Sequence, residues 1–309
     1  MFPSRLSRIA LVLAPLAIAA GCATHAPMSS MSSASPMSPA AMPQSQRPET
    51  VYAVTVANTL VSFNAGAPGK LVSSARLTGF APGETVAGID FRPANGKLYA
   101  ITNAGRLYTI DTTTGVATRA GTADAGAMMK STAVGLNFNP TVDRIRYVGA
   151  GGENMRLHPD TGAVVDANPN QDGVQTDGML AFAPGDLYAT RKPYVTGAAY
   201  TNSFAGAKST TNFVIDANLG VLATQGSREG TPNAVSPNTG QLFTVGSLGV
   251  KVAGPVAFDI APNTNAALAA IVSLYGRTTL YEIDLRSGAA TMIGVVGTGE
   301  PVRAIAVAP

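Results

Sequence analysis

Apolar and polar residues alternate in short runs along most of this chain, and each run is bounded by Gly, Pro, Asn or Asp. Val51-Tyr52-Ala53-Val54-Thr55-Val56 and Thr59-Leu60-Val61-Ser62-Phe63 are typical. β-Branched and aromatic residues in such turn-bounded runs predict strands. Helical periodicity is nearly absent. Ala266 to Leu274 could be misread as a helix, but Ile271-Val272-Ser273 ahead of Tyr275-Gly276 suits a strand better.

The runs follow a recurring cassette. Phe91-Arg92-Pro93 is followed by Lys97-Leu98-Tyr99-Ala100, then Leu107-Tyr108-Thr109-Ile110-Asp111 and Thr114-Gly115. The order returns near Phe138-Asn139-Pro140, Phe182-Ala183-Pro184 and Ile260-Ala261-Pro262, and Ala306-Val307-Ala308-Pro309 restarts it with no strand left to follow. Aligned on it, the chain gives five units. The first holds Thr59–Phe63 and Lys70–Leu77; the others span Val86–Gly121, Val134–Val165, Met179–Gly249 and Gly254–Gly297. Each reads as four strands, the innermost ending in x-Pro, at about 52 residues per unit. The fold class predicted is all-β, a five-bladed β-propeller.

Both ends carry half a unit. Val302 to Val307 matches an innermost strand, whereas the first unit begins with what reads as a second strand. Pairing the last strand with the first unit would close a ring and remove exposed sheet edges. A β-helix or a pair of sandwiches needs no such orphan halves.

Composition adds a compartment. Arg5 and Arg8 precede an apolar stretch from Ile9 to Ala20, too short for a bilayer-spanning helix of roughly 20 residues. It ends in Ala19-Ala20-Gly21-Cys22, and Cys22 is the only cysteine. This resembles a bacterial lipobox, although Ala19 stands where Leu is usual. Residues 1–21 are thus expected to be a lipoprotein-type signal, with Cys22 lipidated. Ala23 after the cysteine implies outer-membrane delivery by the same resemblance. Residues 22–49, rich in Ser, Ala, Pro and Met, form a disordered tether. Residues 50–309 form the propeller. A single cysteine rules out disulfides within the chain. Charged residues are 13% and the net charge is +3, with no basic stripe, so nucleic acid is not an expected partner. A monomer is expected.

Ala198-Ala199-Tyr200-Thr201-Asn202-Ser203-Phe204 resembles the signature of a bacterial family known only as domain of unknown function 4394. Gly240-Gln241-Leu242-Phe243-Thr244-Val245-Gly246-Ser247-Leu248-Gly249-Val250 and Phe258-Asp259-Ile260 are similar to its other hallmarks. The resemblance covers Val51 to Pro309. It implies an exported or lipid-anchored propeller and brings no activity or catalytic residues with it.

Candidate chemistry lies in what varies between units. Three places before Pro93, Pro140, Pro184, Pro262 and Pro309 stand Asp90, Asn137, Ala181, Asp259 and Ala306, each after an apolar residue. Alternation puts the two sets on opposite sides of each innermost strand. Asp90, Asn137 and Asp259 could gather oxygen ligands for Ca²⁺ or a polar ligand in the channel, or bond neighbouring backbone. Asp166, Asn168, Asn170, Asp172 and Asp177 hold the oxygen-ligand places of a twelve-residue Ca²⁺ loop. Gln171 replaces its turn glycine, however, and Asx-rich turns reproduce such spacing. His25, Met28, Met31, Met37 and Met42 could bind Cu(I), but incidental Met in a linker is the simpler account. Asp111, Asp216 and Asp284 recur after Ile before turns and are read as turn caps. His158 is the domain's only histidine, and no Cys/His pair, nucleophile elbow or P-loop is present.

The function expected is therefore a cell-envelope binding module for an unknown protein, glycan or small molecule. The alternative is a channel-centred hydrolase or lyase of saccharides or lactones using Asp90 and Asp259, with or without Ca²⁺.

Overall fold

The computed structural model describes residues 47–309, which form twenty strands in five sheets. Blade 1 joins β1 (Thr50–Thr55), β2 (Thr59–Asn64) and β3 (Leu71–Arg76) to β20 (Val302–Val307), in the order β20-β1-β2-β3. Blade 2 is β4 (Val86–Phe91), β5 (Leu98–Thr102), β6 (Leu107–Ile110) and β7 (Ala117–Arg119). Blade 3 has β8 (Val134–Asn139), β9 (Arg144–Gly149) and β10 (Asn154–Leu157), with a Leu157–Val164 bridge at its rim. Blade 5 is β16 (Val256–Ile260), β17 (Ala267–Val272), β18 (Thr278–Ile283) and β19 (Ala290–Val295).

Blade 4 departs from the sequence reading. Its inner strand is β12 (Val195–Tyr200), followed outward by β13 (Asn212–Asp216), β14 (Val221–Gln225) and β15 (Gln241–Ser247). Ala181–Phe182, predicted as the inner strand, is β11, a short fifth strand parallel to β15 at the outer edge. Phe182-Ala183-Pro184 imitates the inner-strand ending, whereas β12 runs into Thr201-Asn202 with no proline.

The predicted closure is present. β20 pairs antiparallel with β1, Val51 opposite Val307. Each inner strand packs on the next, β4 on β8, β8 on β12, β12 on β16, β16 on β20 and β20 on β4. Five apolar clusters fill the spaces between neighbouring blades, one per interface. Side chains of both sheet faces therefore meet another blade, which explains the near-continuous burial of the inner and second strands.

Close approach at the axis depends on small residues. Gly88, Gly135 and Gly197 sit two residues before Asp90, Asn137 and Ala199 on β4, β8 and β12. A Cβ on Gly135 would lie 2.5 Å from the backbone nitrogen of Ala198, and one on Gly197 would lie 2.7 Å from Cβ of Phe258. The blades come this near only because those atoms are missing.

Candidate functional site

Each inner strand pairs outward through alternate N–H groups. Arg92, Thr201, Ala261 and Ala308 donate to second-strand residues or the turns beside them. The N–H one residue earlier, on Phe91, Tyr200, Ile260 and Val307, thus points away from the blade's own second strand, and Phe138 holds the same place on β8. Three side chains take all five. Asp90 accepts from Phe91 N at 2.7 Å and Phe138 N at 2.6 Å. Asn137 accepts from Tyr200 N at 2.9 Å, and Asp259 accepts from Ile260 N at 2.8 Å and Val307 N at 2.6 Å. Each side chain reaches sideways into the next blade.

This register corrects one position. The blade 4 equivalent of Asp90 is Ala199, one residue before Tyr200, and not Ala181, which lies on the outer strand. The ring reads Asp90, Asn137, Ala199, Asp259, Ala306. Two carboxylates serve two N–H groups each and the amide serves one, so two blades can do with alanine.

The structure brings Asp90, Asn137 and Asp259 together at the axis, each buried. Burial pushes the Asp259 carboxyl up to about 7 and raises Asp90 well above its ordinary range, with the charge of Asp259 adding to the rise on Asp90. The narrow axial gap beside them, about 10 Å³ bordered by Gly88, Leu136, Gly197 and Ile305, has room for about one water. Neither carboxylate lines it.

The twelve-residue acidic loop does not close around a centre. Asp166 Oδ1 accepts from Asn168 N and Gln175 N, and Asn168 Oδ1 from Asn170 N, as Asx turns do. Asp177, expected as the final Ca²⁺ ligand, is buried and paired with Arg146 at 2.5 Å and Arg156 at 2.8 Å. Two guanidiniums on one carboxylate leave it unavailable to a cation. Among the described residues, no three His, Cys, Asp or Glu side chains are placed to hold a metal ion.

The repeated Ile-Asp pairs act as turn caps. Asp111 Oδ1 accepts from Thr113 N and Thr114 N, Asp216 Oδ1 from Leu219 N, and Asp284 Oδ1 from Arg286 N. Those N–H groups hold Asp111 and Asp284 below their ordinary value. Cys22 and the Met-bearing segment lie outside the described residues.

The channel opens at one end into a funnel of about 590 Å³. It gathers the first residues of the inner strands, with Val86, Val134, Pro255 and Val302 supplying an apolar wall. Thr85, Thr132, Thr196 and Asn103 add polar atoms, and among the described residues Arg303 is the only ionisable side chain on the lining. Arg303 donates to the carbonyls of Val86 at 3.2 Å and Val56 at 3.3 Å, which fixes the guanidinium and leaves its charge without a carboxylate within 4.0 Å among the described residues. Sequence reasoning missed this residue. Its register on the other inner strands holds Ala87, Val134, Thr196 and Val256, so an arginine among small or apolar residues was the available signal.

Five radially arranged sheets with a channel mouth at one end define a five-bladed β-propeller. The model of the family described as "Domain of unknown function (DUF4394)" matches residues 59–306, and the chain belongs to that family. No curated protein matches it. Among solved structures it is similar to a structural-genomics protein of unknown function from Bacteroides thetaiotaomicron (TM-score 0.41, 14% identity, covering 78% of this chain and 56% of that one). It is also similar to a chain in a nidogen/laminin complex (0.46, 10%, 84% and 98%) and to a Lactobacillus plantarum protein (0.34, 18%, 84% and 71%). At such scores the likenesses carry no argument about function. The chain spans about half the length of the first of them.

Proposed function

We propose that this protein is a cell-envelope binding module, held at the bacterial outer membrane through lipid on Cys22, that takes a small amphipathic monoanion in the axial funnel. The observation that carries this reading is Arg303: a positioned guanidinium with no acidic partner among the described residues, at the neck of a largely apolar cavity of about 590 Å³. An apolar wall with one convergent charge suits a ligand with a hydrocarbon body and a single carboxylate. The size falls within the ordinary range of small-molecule sites, roughly 300–1,000 Å³.

Straight-chain carboxylates from acetate to decanoate test it. Saturable thermal stabilisation of the wild type should grow with chain length and then fall once the funnel is full. Arg303→Ala should lose it. No chain-length dependence, or equal binding by the variant, would overturn the assignment. The anchor has its own test: Cys22→Ser should move the protein from the membrane to the soluble fraction.

The alternative hydrolase or lyase draws on the raised Asp259 carboxyl. Against it, every oxygen of Asp90 and Asp259 already accepts a backbone N–H. Binding is the better supported reading.

A further inference from the structure

At the end of the ring opposite the funnel lies a second cavity, of about 410 Å³, between blades 3 and 4. The funnel takes Val134 and Thr196 from the starts of β8 and β12; this cavity takes Asn139 and Tyr200 from their ends. We propose that it binds one oxyanion, a carboxylate or a sulfate, carried by a ligand of about monosaccharide size.

Charge is the first reason. Arg144, Arg146 and Arg156 line the cavity, and one carboxylate, Asp177, is bonded to the last two. Asp143 and Asp160 are close by, but both are paired with Arg92. Arg144 donates only to the carbonyls of Val142 and Asp143, at 3.5 and 2.9 Å. Among the described residues no carboxylate lies within 4.0 Å of its guanidinium, although Asp160 is near enough to feel its charge.

Hydrogen-bond accounting is the second. Buried Arg146 donates to Asn154 Oδ1 at 2.8 Å, Asp177 Oδ2 at 2.5 Å, Asn238 Oδ1 at 2.6 Å and the Tyr200 hydroxyl oxygen at 3.3 Å. Asn139 Oδ1 accepts from Thr141, and Ser236 Oγ from Asn238 N. The acceptors are thus spent within the protein. What faces an entrant is donors: the Arg144 guanidinium, the Tyr200 O–H and the Ser236 O–H. A donor-rich, net-positive recess matches an anion with several lone pairs and mismatches a neutral sugar, whose hydroxyls must also donate. Arg146 holds this arrangement by pinning two excursions, the segment bearing Asp177 and the one bearing Ser236–Asn238, against blade 3. It is a positioning residue.

The test uses the complete chain with sodium sulfate, sodium glucuronate and glucose at constant ionic strength set by NaCl. Glucuronate or sulfate should raise the thermal midpoint saturably while glucose does not. Glucuronate exceeding sulfate assigns a planar carboxylate, and the reverse a tetrahedral anion. Arg144→Ala, whose side chain bonds only to carbonyls of its own turn, should weaken binding about tenfold or more, as loss of a charge-assisted bond does. Arg144→Lys should retain part of the affinity, and Arg303→Ala all of it. Equal affinity in Arg144→Ala, an equal response to glucose, or a shift that chloride alone reproduces would overturn the proposal.

Discussion

Asn137 donates its side-chain amide to Asp259 Oδ1 at 2.8 Å, joining blade 3 to blade 5 past the intervening blade 4. Blade 4 offers Ala199 at this register and can neither give nor take a side-chain bond. The pair thus bridges the gap its alanine leaves.

Asp259→Ala should remove the acceptor for Ile260 N, Val307 N and the Asn137 amide together. A buried donor left unpaired costs about 1–3 kcal/mol, so the loss should be about 3 kcal/mol or more in urea unfolding. Ala306→Ser, at the equivalent place beside a satisfied N–H, should cost far less.

Stability should fall as pH rises between about 4 and 7. The Asp259 carboxyl, ordinarily near 3.8, is lifted to about 7 by burial, so the folded state holds the proton more tightly than the unfolded chain. Its contribution is complete below the unfolded value and lost as pH rises through the folded one. Raised Asp90 acts in the same direction. Asp111 and Asp284, held low, act oppositely and only at lower pH. Urea midpoints from pH 4 to 8 should decline for the wild type and be flatter for Asp259→Asn; a wild-type midpoint that climbs over this window would contradict the assignment.

Gly135→Ala should destabilise by about 1–3 kcal/mol through overpacking, because backbone rather than a movable side chain meets the new methyl. Gly254→Ala, with nothing within 4 Å of its added Cβ, should stay within about 0.5 kcal/mol. Thermal midpoints of the two variants give the comparison.

Asp177→Ala should cost about 3–5 kcal/mol, since it strands two arginines, one of them fully buried. Asp172→Ala, exposed in the same loop, should be nearly silent. Ca²⁺ should shift the melting of neither variant nor of the wild type.

The frame was legible in the sequence because it rests on local chemistry. Strand alternation, the Ile-Asp turn caps and the orphan strand at Val302–Val307 each repeat at short range, and each falls where it was expected. Blade 4 was misread for a local reason too: Phe182-Ala183-Pro184 has the right ending, while the true inner strand ends in Tyr200-Thr201-Asn202 without a proline. Asp177 shows a different limit. Its spacing within a twelve-residue window is a matter of sequence, but its partners Arg146 and Arg156 come from strands β9 and β10. Arg303 and Arg144 needed the ring itself, because only closure shows which guanidiniums have no carboxylate within 4.0 Å among the described residues.

The antiparallel pairing of β1 with β20 sets a direction. β20 begins at Val302 and Arg303 in the funnel wall and ends at Val307, opposite Val51. The chain therefore enters the domain, at Thr50, on the face away from the funnel. Thr50 and the arginine recess thus share one end of the ring and the funnel mouth lies at the other, so a molecule held in one cavity leaves the opposite mouth uncovered.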